Sequence, residues 1–182
     1  MIKIIVLLFL TTEAFANSVI INPHFGHTIM GEISSNALDS DSTVQGLSGG
    51  LRVLFRHDVI YYGVDLERTS FKVNSSELTD GFSSSTISLM SGLRFSANEY
   101  FGKFTFAGEA TLYSLGSFAT PVGFEIGYLR RFIADGVTKI ALFASYSSTQ
   151  WDDFSNNTVG SSIDLEVSRI LIGVSIPFEI TL

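Results

Sequence analysis

The chain has 182 residues, of which 46% are hydrophobic and only 16% charged, and it contains no cysteine. The absence of cysteine excludes disulfides, thiol catalysis and thiol-linked lipid anchoring, and the net charge of −7 argues against nucleic acid as a partner. After the first ten residues, no apolar run approaches the roughly 20 residues that a transmembrane helix needs. The apolar residues are spread at short intervals instead, which favours strands over helices.

The N-terminus has the pattern of an export signal. Lys3 is followed by an apolar stretch over residues 4–10, and an A-x-A cleavage pattern ends at Ala16. We therefore predict a signal peptide over residues 1–16 and a single mature domain over residues 17–182.

Apolar and polar residues alternate from residue 18 onward, which is the period of a strand with two different faces. The alternation is clearest in residues 47–56, where the odd positions are mainly apolar and the even positions carry Ser, Gly and Arg. A weaker run precedes it at 19–31, and further runs follow at 62–67, 87–95, 103–112, 122–128, 139–146 and 170–182. The pattern predicts about eight strands, an even number that a closed antiparallel barrel permits.

The connections between these strands alternate in length. Tight turns are predicted around His57, Asn98 and Gly136, and longer polar connections are centred on residues 34–45, 69–85, 114–121 and 147–161. Short periplasmic turns at one end and long external loops at the other are typical of barrels in bacterial outer membranes. Because the strand number is even, we expect both termini on the periplasmic side.

Aromatic residues gather near both predicted strand ends. They are Phe95, Tyr100, Phe101, Phe132 and Phe178 toward the tight turns, and Tyr113, Phe118, Tyr146 and Trp151 toward the long loops. This distribution predicts two girdles at the membrane interfaces.

The composition of the polar face indicates which side of the sheet points outward. That face carries Gly50, Gly63, Gly92, Gly123 and Gly127 among Ser, Thr and Ala. A water-exposed strand face gains nothing from so many glycines, which weaken strands, whereas a narrow lumen needs small residues beside long ones. We therefore predict that the apolar face contacts lipid and the polar face lines the lumen, in contrast to a soluble lipocalin-like barrel.

Several charged residues fall on the predicted lumen face and form a candidate network. They are Arg52, Asp65, Glu67, Arg94, Lys103, Glu109, Glu125 and Arg131. Charges confined in a lumen should be paired. The hairpin through His57 can place Arg52 opposite Asp65, or opposite Glu67 if the register moves by one pair of positions. We expect Arg56, nearer the turn, to face periplasmic water.

Taken with these features, the chain resembles the small OmpA/OmpX-type outer-membrane barrels. The resemblance rests on the export signal, the alternation, Gly-x-Gly-Tyr-like segments such as residues 123–128, and a terminal strand that matches an assembly signal at Gly173, Ile176 and Phe178. It implies an all-β, transmembrane, antiparallel up-and-down barrel in the outer membrane of a Gram-negative bacterium. The partners it implies are outer-membrane lipid, lipopolysaccharide and the barrel assembly machinery.

The terminal strand departs from the pattern of that family. Leu171 occupies the polar position of the assembly signal, and residues 179–182 continue beyond its final aromatic. Pro177 and Pro23 fall at the same predicted end, and proline donates no ladder hydrogen bond. We therefore expect residues 179–182 to be a loosely held extension whose deletion leaves insertion largely intact.

Catalytic and metal sites have little support in the sequence. His24 and His27 fall on opposite faces of one strand, and His57 lies in a tight turn, so no histidine is paired with a nucleophile. The acidic clusters at residues 39–41 and 152–153 are expected to be solvated in loops. We predict no enzyme activity, no catalytic or metal-binding residue and no cofactor.

Three functions stay open at this point. The leading one is a structural or surface-interaction barrel, for adhesion, envelope integrity or contact with a host, whose loops contact an external protein or host ligand. The alternative is a narrow channel or transporter for small or apolar molecules, and the third is a lipid-modifying enzyme. An interior of about eight strands is just wide enough for side chains to fill, which disfavours a pore.

Overall fold

The computed structural model describes residues 16–35, 42–74, 79–112, 116–134, 137–152 and 164–182, and nearly all of them lie in strands. The strands are β1 (Ser18–Ser35), β2 (Ser42–His57), β3 (Ile60–Asn74), β4 (Thr79–Phe95), β5 (Asn98–Leu112), β6 (Gly116–Ala134), β7 (Val137–Asp152), β8 (Leu165–Ser175) and β9 (Phe178–Thr181). In the described part of the chain, no helix is long and apolar enough to cross a membrane. The predicted signal peptide lies almost entirely outside these residues and stays a prediction.

The strands form a closed antiparallel barrel. Each strand from β1 to β8 pairs with the next along the chain, and β1 also pairs with β8, which closes the sheet on itself. The last strand continues β8 after a break at Ile176 and Pro177, and it pairs with the first residues of β1. The predicted all-β up-and-down barrel of eight strands is therefore confirmed, with β8 and β9 together forming the eighth.

The apolar face of the sheet points outward, as predicted. Leu89 and Phe104, at mid-strand, are each 51% exposed, whereas their neighbours Met90 and Lys103 are 3% and 6% exposed. Similar exposed apolar residues occur on every strand from β1 to β9. An apolar band that surrounds a closed barrel is suited to lipid and not to water.

Glycines on the inner face make room for large interior side chains. A Cβ added to Gly50 would lie 2.6 Å from Cε1 of His24, and one added to Gly173 would lie 2.6 Å from Cε1 of Phe143. Gly127 is in the same position against the Phe101 ring. The prediction that small residues line a crowded lumen is therefore confirmed at these positions.

A β-bulge in β5 reverses the faces of the residues that follow it. Thr105 pairs with Ser88 whereas Ala107 pairs with Ile87, so Phe106 is an extra residue. One extra residue moves every later side chain to the opposite face. As a result, Ala110 is buried inside and Glu109 is exposed on the outer face. The prediction that Glu109 belongs to the lumen network is wrong for this reason.

Two apolar clusters fill the interior near its two ends. The upper cluster lies toward the long connections and contains Ile33, Val44, Phe71, Val73, Phe82, Ala110, Leu112, Phe118, Trp151, Leu165 and Val167. The lower cluster lies toward the tight turns and contains Ile20, Leu54, Tyr61, Met90, Phe101, Leu129, Ala141, Phe143 and Leu171. The polar residues of the lumen lie between and below them.

These clusters correct part of the predicted aromatic girdles. Phe101, Phe118 and Trp151 are buried in the interior and do not face lipid. The predicted outward aromatics that the structure does expose are Phe95, Tyr100, Phe132, Tyr146 and Phe178. Tyr113 lies outside the described residues. The error arises because the inner face continues to both strand ends, so an aromatic near an end can point either way.

Candidate functional site

Seven side chains converge between the two apolar clusters, and we name them the central network. They are His24, Arg52, Asp65, Glu67, Lys103, Glu125 and Arg169. Lys103 lies at the centre of the network, with Nζ 2.9 Å from Oδ2 of Asp65, 3.0 Å from Oε2 of Glu67 and 2.8 Å from Oε2 of Glu125. One ammonium therefore joins carboxylates from two other strands, β3 and β6.

Arg52 is the most deeply buried cation of the network. The register of β2 and β3 places it directly opposite Asp65, and its Nε donates a hydrogen bond of 3.3 Å to Oδ2 of that residue. Its guanidinium also lies 5.2 Å from the ring centroid of Phe101 and 5.1 Å from that of Phe143. Cation–π contacts of this kind are strongest when the cation is removed from water. Of the two registers considered above, the one that pairs Arg52 with Asp65 is confirmed.

Arg169 completes the network on its upper side and was not predicted. It forms an ion pair with Glu67, and its Nη1 donates to Oγ of Ser48 at 2.6 Å and to Oγ1 of Thr69 at 3.2 Å. The alternation assigned to the terminal strand began one residue later, at Ile170. Extending it upstream would have found Arg169, because that residue has the same parity as the interior residue Leu171.

The central network balances its own charge. Three carboxylates, Asp65, Glu67 and Glu125, are matched by three cations, Arg52, Lys103 and Arg169. Buried carboxylates are tolerated only when they are paired in this way. The strands thus bring together six charged side chains from distant parts of the sequence, and these six neutralise one another in ion pairs.

His24 is the remaining member and raises the question of a metal site. Its Nε2 lies 3.7 Å from Oδ1 of Asp65 and 3.7 Å from Oε2 of Glu67, so the three residues offer ligand atoms within 4.8 Å of one another. Both carboxylates already contact the ammonium of Lys103. A divalent cation at this point would lie beside that positive charge, so the geometry favours internal ion pairs over metal binding.

A second set of charges lies below the lower apolar cluster, and we name it the turn-end cluster. It contains Arg56, Arg94, Glu99, Arg131 and Glu179. Oε1 of Glu99 accepts a hydrogen bond of 2.6 Å from Nε of Arg94 and another from Nε of Arg131. Arg56 was expected only to face periplasmic water. It instead forms an ion pair with Glu179, in which Nη2 lies 2.8 Å from Oε1.

Glu179 anchors the C-terminal residues to the barrel. Its Oε2 accepts a hydrogen bond of 3.0 Å from Nη1 of Arg94, and Oγ of Ser18 donates to its Oε1 at 2.7 Å. The backbone of β9 also pairs with β1, and the amide of Leu182 donates to the carbonyl of Asn17 at 3.2 Å. The expectation of a loosely held extension is therefore wrong. The prolines break the ladder locally at Pro177, and pairing then resumes.

The residues of the predicted assembly signal occupy both faces of the last strand. Ile176 and Phe178 are exposed on the outer face, 47% and 57% respectively, whereas Gly173 faces the lumen against Phe143. The role of these three residues in assembly stays a prediction.

We expect Glu179→Gln to lower the free energy of unfolding in detergent by about 1 kcal/mol, because charge-assisted hydrogen bonds are lost at a site that water partly reaches. Deleting residues 179–182 should cost more than that, because it also removes the pairing with β1. Urea titrations scored by the heat-modifiable gel mobility of the folded barrel measure both effects. If the truncated chain were as stable as the wild type, residues 179–182 would be a loosely held extension, as the sequence had predicted.

The histidines do not form a catalytic arrangement with other described residues. His24 is buried in the central network and neither of its ring nitrogens has a hydrogen-bond partner. His27 is exposed on the outer face of β1, and His57 is exposed at the end of β2. The opposite facing of His24 and His27 agrees with the prediction. A general base needs a nucleophile within hydrogen-bond reach, and His24 has none.

Side chains close the lumen at three levels within the described residues. The upper apolar cluster, the central network and the lower apolar cluster follow one another along the barrel axis. A cavity of about 30 Å³ lies between the upper cluster and the network, lined in part by Glu67, Thr69, Ser84 and Arg169. That volume holds about one or two water molecules. The described interior is thus packed by side chains and leaves only this small, partly open space.

Comparisons with known proteins agree with this architecture. No protein-family model and no curated protein matches the sequence. Among solved structures, neisserial surface protein A superposes with a TM-score of 0.57 at 12% identity, covering 88% of this chain and 97% of that one. Ail, the attachment invasion locus protein of Yersinia pestis, superposes with a TM-score of 0.52 at 16% identity, covering 90% and 99%. The chain therefore has the fold of the small outer-membrane β-barrels.

A further structure of Ail is a complex with the heparin analogue sucrose octasulfate. It superposes with a TM-score of 0.50 at 15% identity, covering 88% of this chain and 98% of that one. At this level of identity the likeness concerns the fold alone.

Proposed function

We propose that this chain is a non-conducting outer-membrane barrel whose external end serves as an interaction surface. The observation that carries the proposal is the closed interior, in which a charge-balanced network lies between two apolar clusters. An interior built in this way supplies stability and no path for solutes. The parts of the molecule left to contact a partner are the strand ends and the loops that join them.

The proposed location is the outer membrane of a Gram-negative bacterium, with both termini in the periplasm. The outward apolar band and the likeness to small outer-membrane barrels support the membrane. Short connections join β2 to β3 and β4 to β5, at the same end as the first residue of β1 and the last residue of β9. Periplasmic turns are the short ones in such barrels, which supports this orientation. Insertion would require the barrel assembly machinery and bring contact with lipopolysaccharide.

The external end carries an acidic surface. Exposed acidic residues near the upper strand ends are Glu32, Glu109, Asp152, Asp164 and Glu166, against the basic residues Arg68 and Lys72. The segments 36–41, 75–78, 113–115 and 153–163, which lie outside the described residues, contain four acidic residues and no Lys or Arg in the sequence. The partner we propose therefore presents basic or neutral groups. It differs in charge from the sulfated heparin analogue held by Ail, because like charges repel at an interface.

Refolded protein in planar bilayers should give no unitary conductance, because the three layers of side chains block the lumen. A general porin added to the same bilayers is the positive control. Stable steps of conductance from the purified barrel would overturn the closed-lumen proposal and favour the narrow channel.

The interaction surface is tested with the same preparation. The barrel in nanodiscs should be retained on an immobilised cationic peptide and pass through immobilised heparin at low salt. Retention on heparin with none on the cationic peptide would contradict the proposed charge of the partner. Neutralising Glu32 and Glu166 by substitution with Gln should weaken retention on the peptide, because both are exposed on the upper outer face.

A further inference from the structure

The sheet has an unpaired edge at its turn end, between β7 and β9. Pairing of β7 with β8 runs from Trp151 opposite Leu165 down to Ala141 opposite Ser175, and it stops there. Below that level β9 pairs with β1, and within the described residues it has no other neighbouring strand. Among the same residues, the lower part of β7 pairs with β6 alone. The ends of β7 and β9 therefore face each other without a ladder between them.

One irregularity lies on each side of this unpaired edge. In β7, the register against β6 skips Lys139, which is an extra residue that bends the strand. On the other side, Pro177 has no N–H to donate, and proline within a sheet is confined to edges and bulges for that reason. The separation of β7 from β9 therefore follows from the residues at these two positions.

The hydrogen bonds to β1 show which main-chain groups of the last strand are already used. The amide of Ile176 donates to the carbonyl of Pro23 at 3.0 Å, and that of Leu182 donates to the carbonyl of Asn17 at 3.2 Å. Successive residues of a strand direct their N–H and C=O groups to opposite sides. The even-numbered residues from 176 to 182 therefore bond to β1, and the odd-numbered residues point toward β7.

Glu179 and Thr181 are the odd-numbered residues of β9, and we name their N–H and C=O groups the free edge. Both residues are exposed. The side chain of Glu179 is only 26% exposed, so much of the exposed area of that residue belongs to its main chain. The free edge is therefore accessible from outside the barrel.

The surroundings of the free edge differ on the two faces of the sheet. On the outer face, Phe178 and Ile180 are 57% and 54% exposed and continue the apolar band. On the inner face lies the turn-end cluster, in which three arginines meet two glutamates among the described residues. Nη2 of Arg94 has no hydrogen-bond partner among those residues. A strand added at this edge is therefore complementary if it is apolar on its outer face and acidic on its inner face.

We propose that the free edge binds an extended segment of a periplasmic protein, in which apolar residues alternate with polar ones and one polar residue is acidic. Such a segment adds a strand through main-chain hydrogen bonds, and its alternate side chains give specificity. The strand pairs of this barrel are antiparallel. In the same arrangement the acidic residue lies opposite Thr181, because a position opposite Glu179 would bring two like charges together. This inference rests on the proposed function, because it requires the turn end to face the periplasm.

Hydrogen exchange of the barrel in nanodiscs, followed by NMR with and without the acetylated peptide Ile-Glu-Ile-Ser-Ile, tests the proposal. Without peptide, the amides of Glu179 and Thr181 should exchange faster, by about tenfold or more, than those of Phe178 and Ile180, which bond to β1. The peptide should slow exchange at Glu179 and Thr181. A control peptide with Lys in place of Glu should bind about tenfold more weakly, because it brings a cation to the arginines.

Thr181→Pro removes one N–H of the free edge and keeps the pairing with β1, because that N–H points away from β1. It should weaken binding of the peptide about tenfold, the effect of losing one main-chain hydrogen bond. Thr181→Ala keeps the N–H and is the matched control, so it should bind the peptide as the wild type does. Heat-modifiable gel mobility reports whether both variants are folded. If Thr181→Pro did not fold, the exchange of the wild type with the two peptides would decide the question.

Equal affinity for the two peptides, or binding that leaves exchange at Glu179 and Thr181 unchanged, would overturn the proposal. Slow exchange of these two amides without peptide would show that the edge is already covered and would overturn it as well. The occupant would be a second copy of the chain if that protection grew with barrel concentration. A barrel that folds and does not conduct, yet binds neither peptide, would leave the proposed function intact and overturn the docking of a segment at the free edge alone.

Discussion

Lys103→Met should lower the free energy of unfolding in detergent by about 3–5 kcal/mol, the cost of removing one partner from a buried ion-pair network. Lys103 contacts three carboxylates. Without Lys103, Asp65 would keep its ion pair with Arg52, and Glu67 would keep its ion pair with Arg169. Glu125 would keep none, because within the described residues its one ion pair is with Lys103. The substitution would therefore leave Glu125 as an uncompensated charge in a closed space.

The double variant Lys103→Met with Glu125→Gln separates this effect from simple loss of packing. Removing both charges should recover part of the lost stability, because no isolated charge then remains buried. The protein contains one tryptophan, Trp151, which is 2% exposed in the upper apolar cluster. Its fluorescence during urea titration reports unfolding of the interior. Equal stability of Lys103→Met and the wild type would show that lumen water solvates these carboxylates.

Leu89→Arg should cost about 2–4 kcal/mol, the penalty for a cation on the lipid face at mid-membrane. Leu89 is 51% exposed within the outward apolar band. Because the penalty arises from contact with hydrocarbon, it should grow in bilayers of longer-chain lipids. Folding equilibria in vesicles of two thicknesses measure the difference.

Met90→Arg is the matched comparison, one residue further along the same strand. Met90 is 3% exposed and belongs to the lower apolar cluster, so an arginine there would crowd the lumen. Its cost should be steric and independent of bilayer thickness. If thickness altered the cost of Met90→Arg and left Leu89→Arg unaffected, the inward and outward faces would be reversed.

The alternation of apolar and polar residues was sufficient to predict the barrel, which face of its strands points outward, and part of the central network. Alternation with period two assigns each residue to one face, and a tight turn then fixes which residues oppose one another. This is why Arg52 could be placed opposite either Asp65 or Glu67 from the sequence, and the register of the structure selects Asp65. Arg94, Lys103, Glu125 and Arg131 were placed correctly in the interior by the same rule.

The errors have local or long-range causes that alternation does not contain. Glu109 was misplaced because a single bulged residue, Phe106, reverses the parity, although a glycine within a strand at Gly108 was an available signal. Glu99 and Arg169 were missed because each lies next to a strand boundary that was set too tightly. The contact of Arg94 with Glu179 joins residues 85 positions apart. It exists only once the barrel has closed, so no local pattern reveals it.

The close contacts between interior glycines and large rings restrict how this sequence can evolve. Gly50 faces the imidazole of His24, and Gly173 faces the ring of Phe143, with no room for a methyl group in either place. The nearest atom to an added Cβ is in both cases a backbone oxygen, that of Leu66 at 2.2 Å from Gly50 and that of Phe25 at 2.3 Å from Gly173, so a smaller ring alone would not make room and both positions are expected to stay glycine. The outward apolar positions face no such contact and can exchange one apolar residue for another singly. Homologous barrels should therefore differ most on the lipid face and in the loops, and keep glycine at these two interior positions.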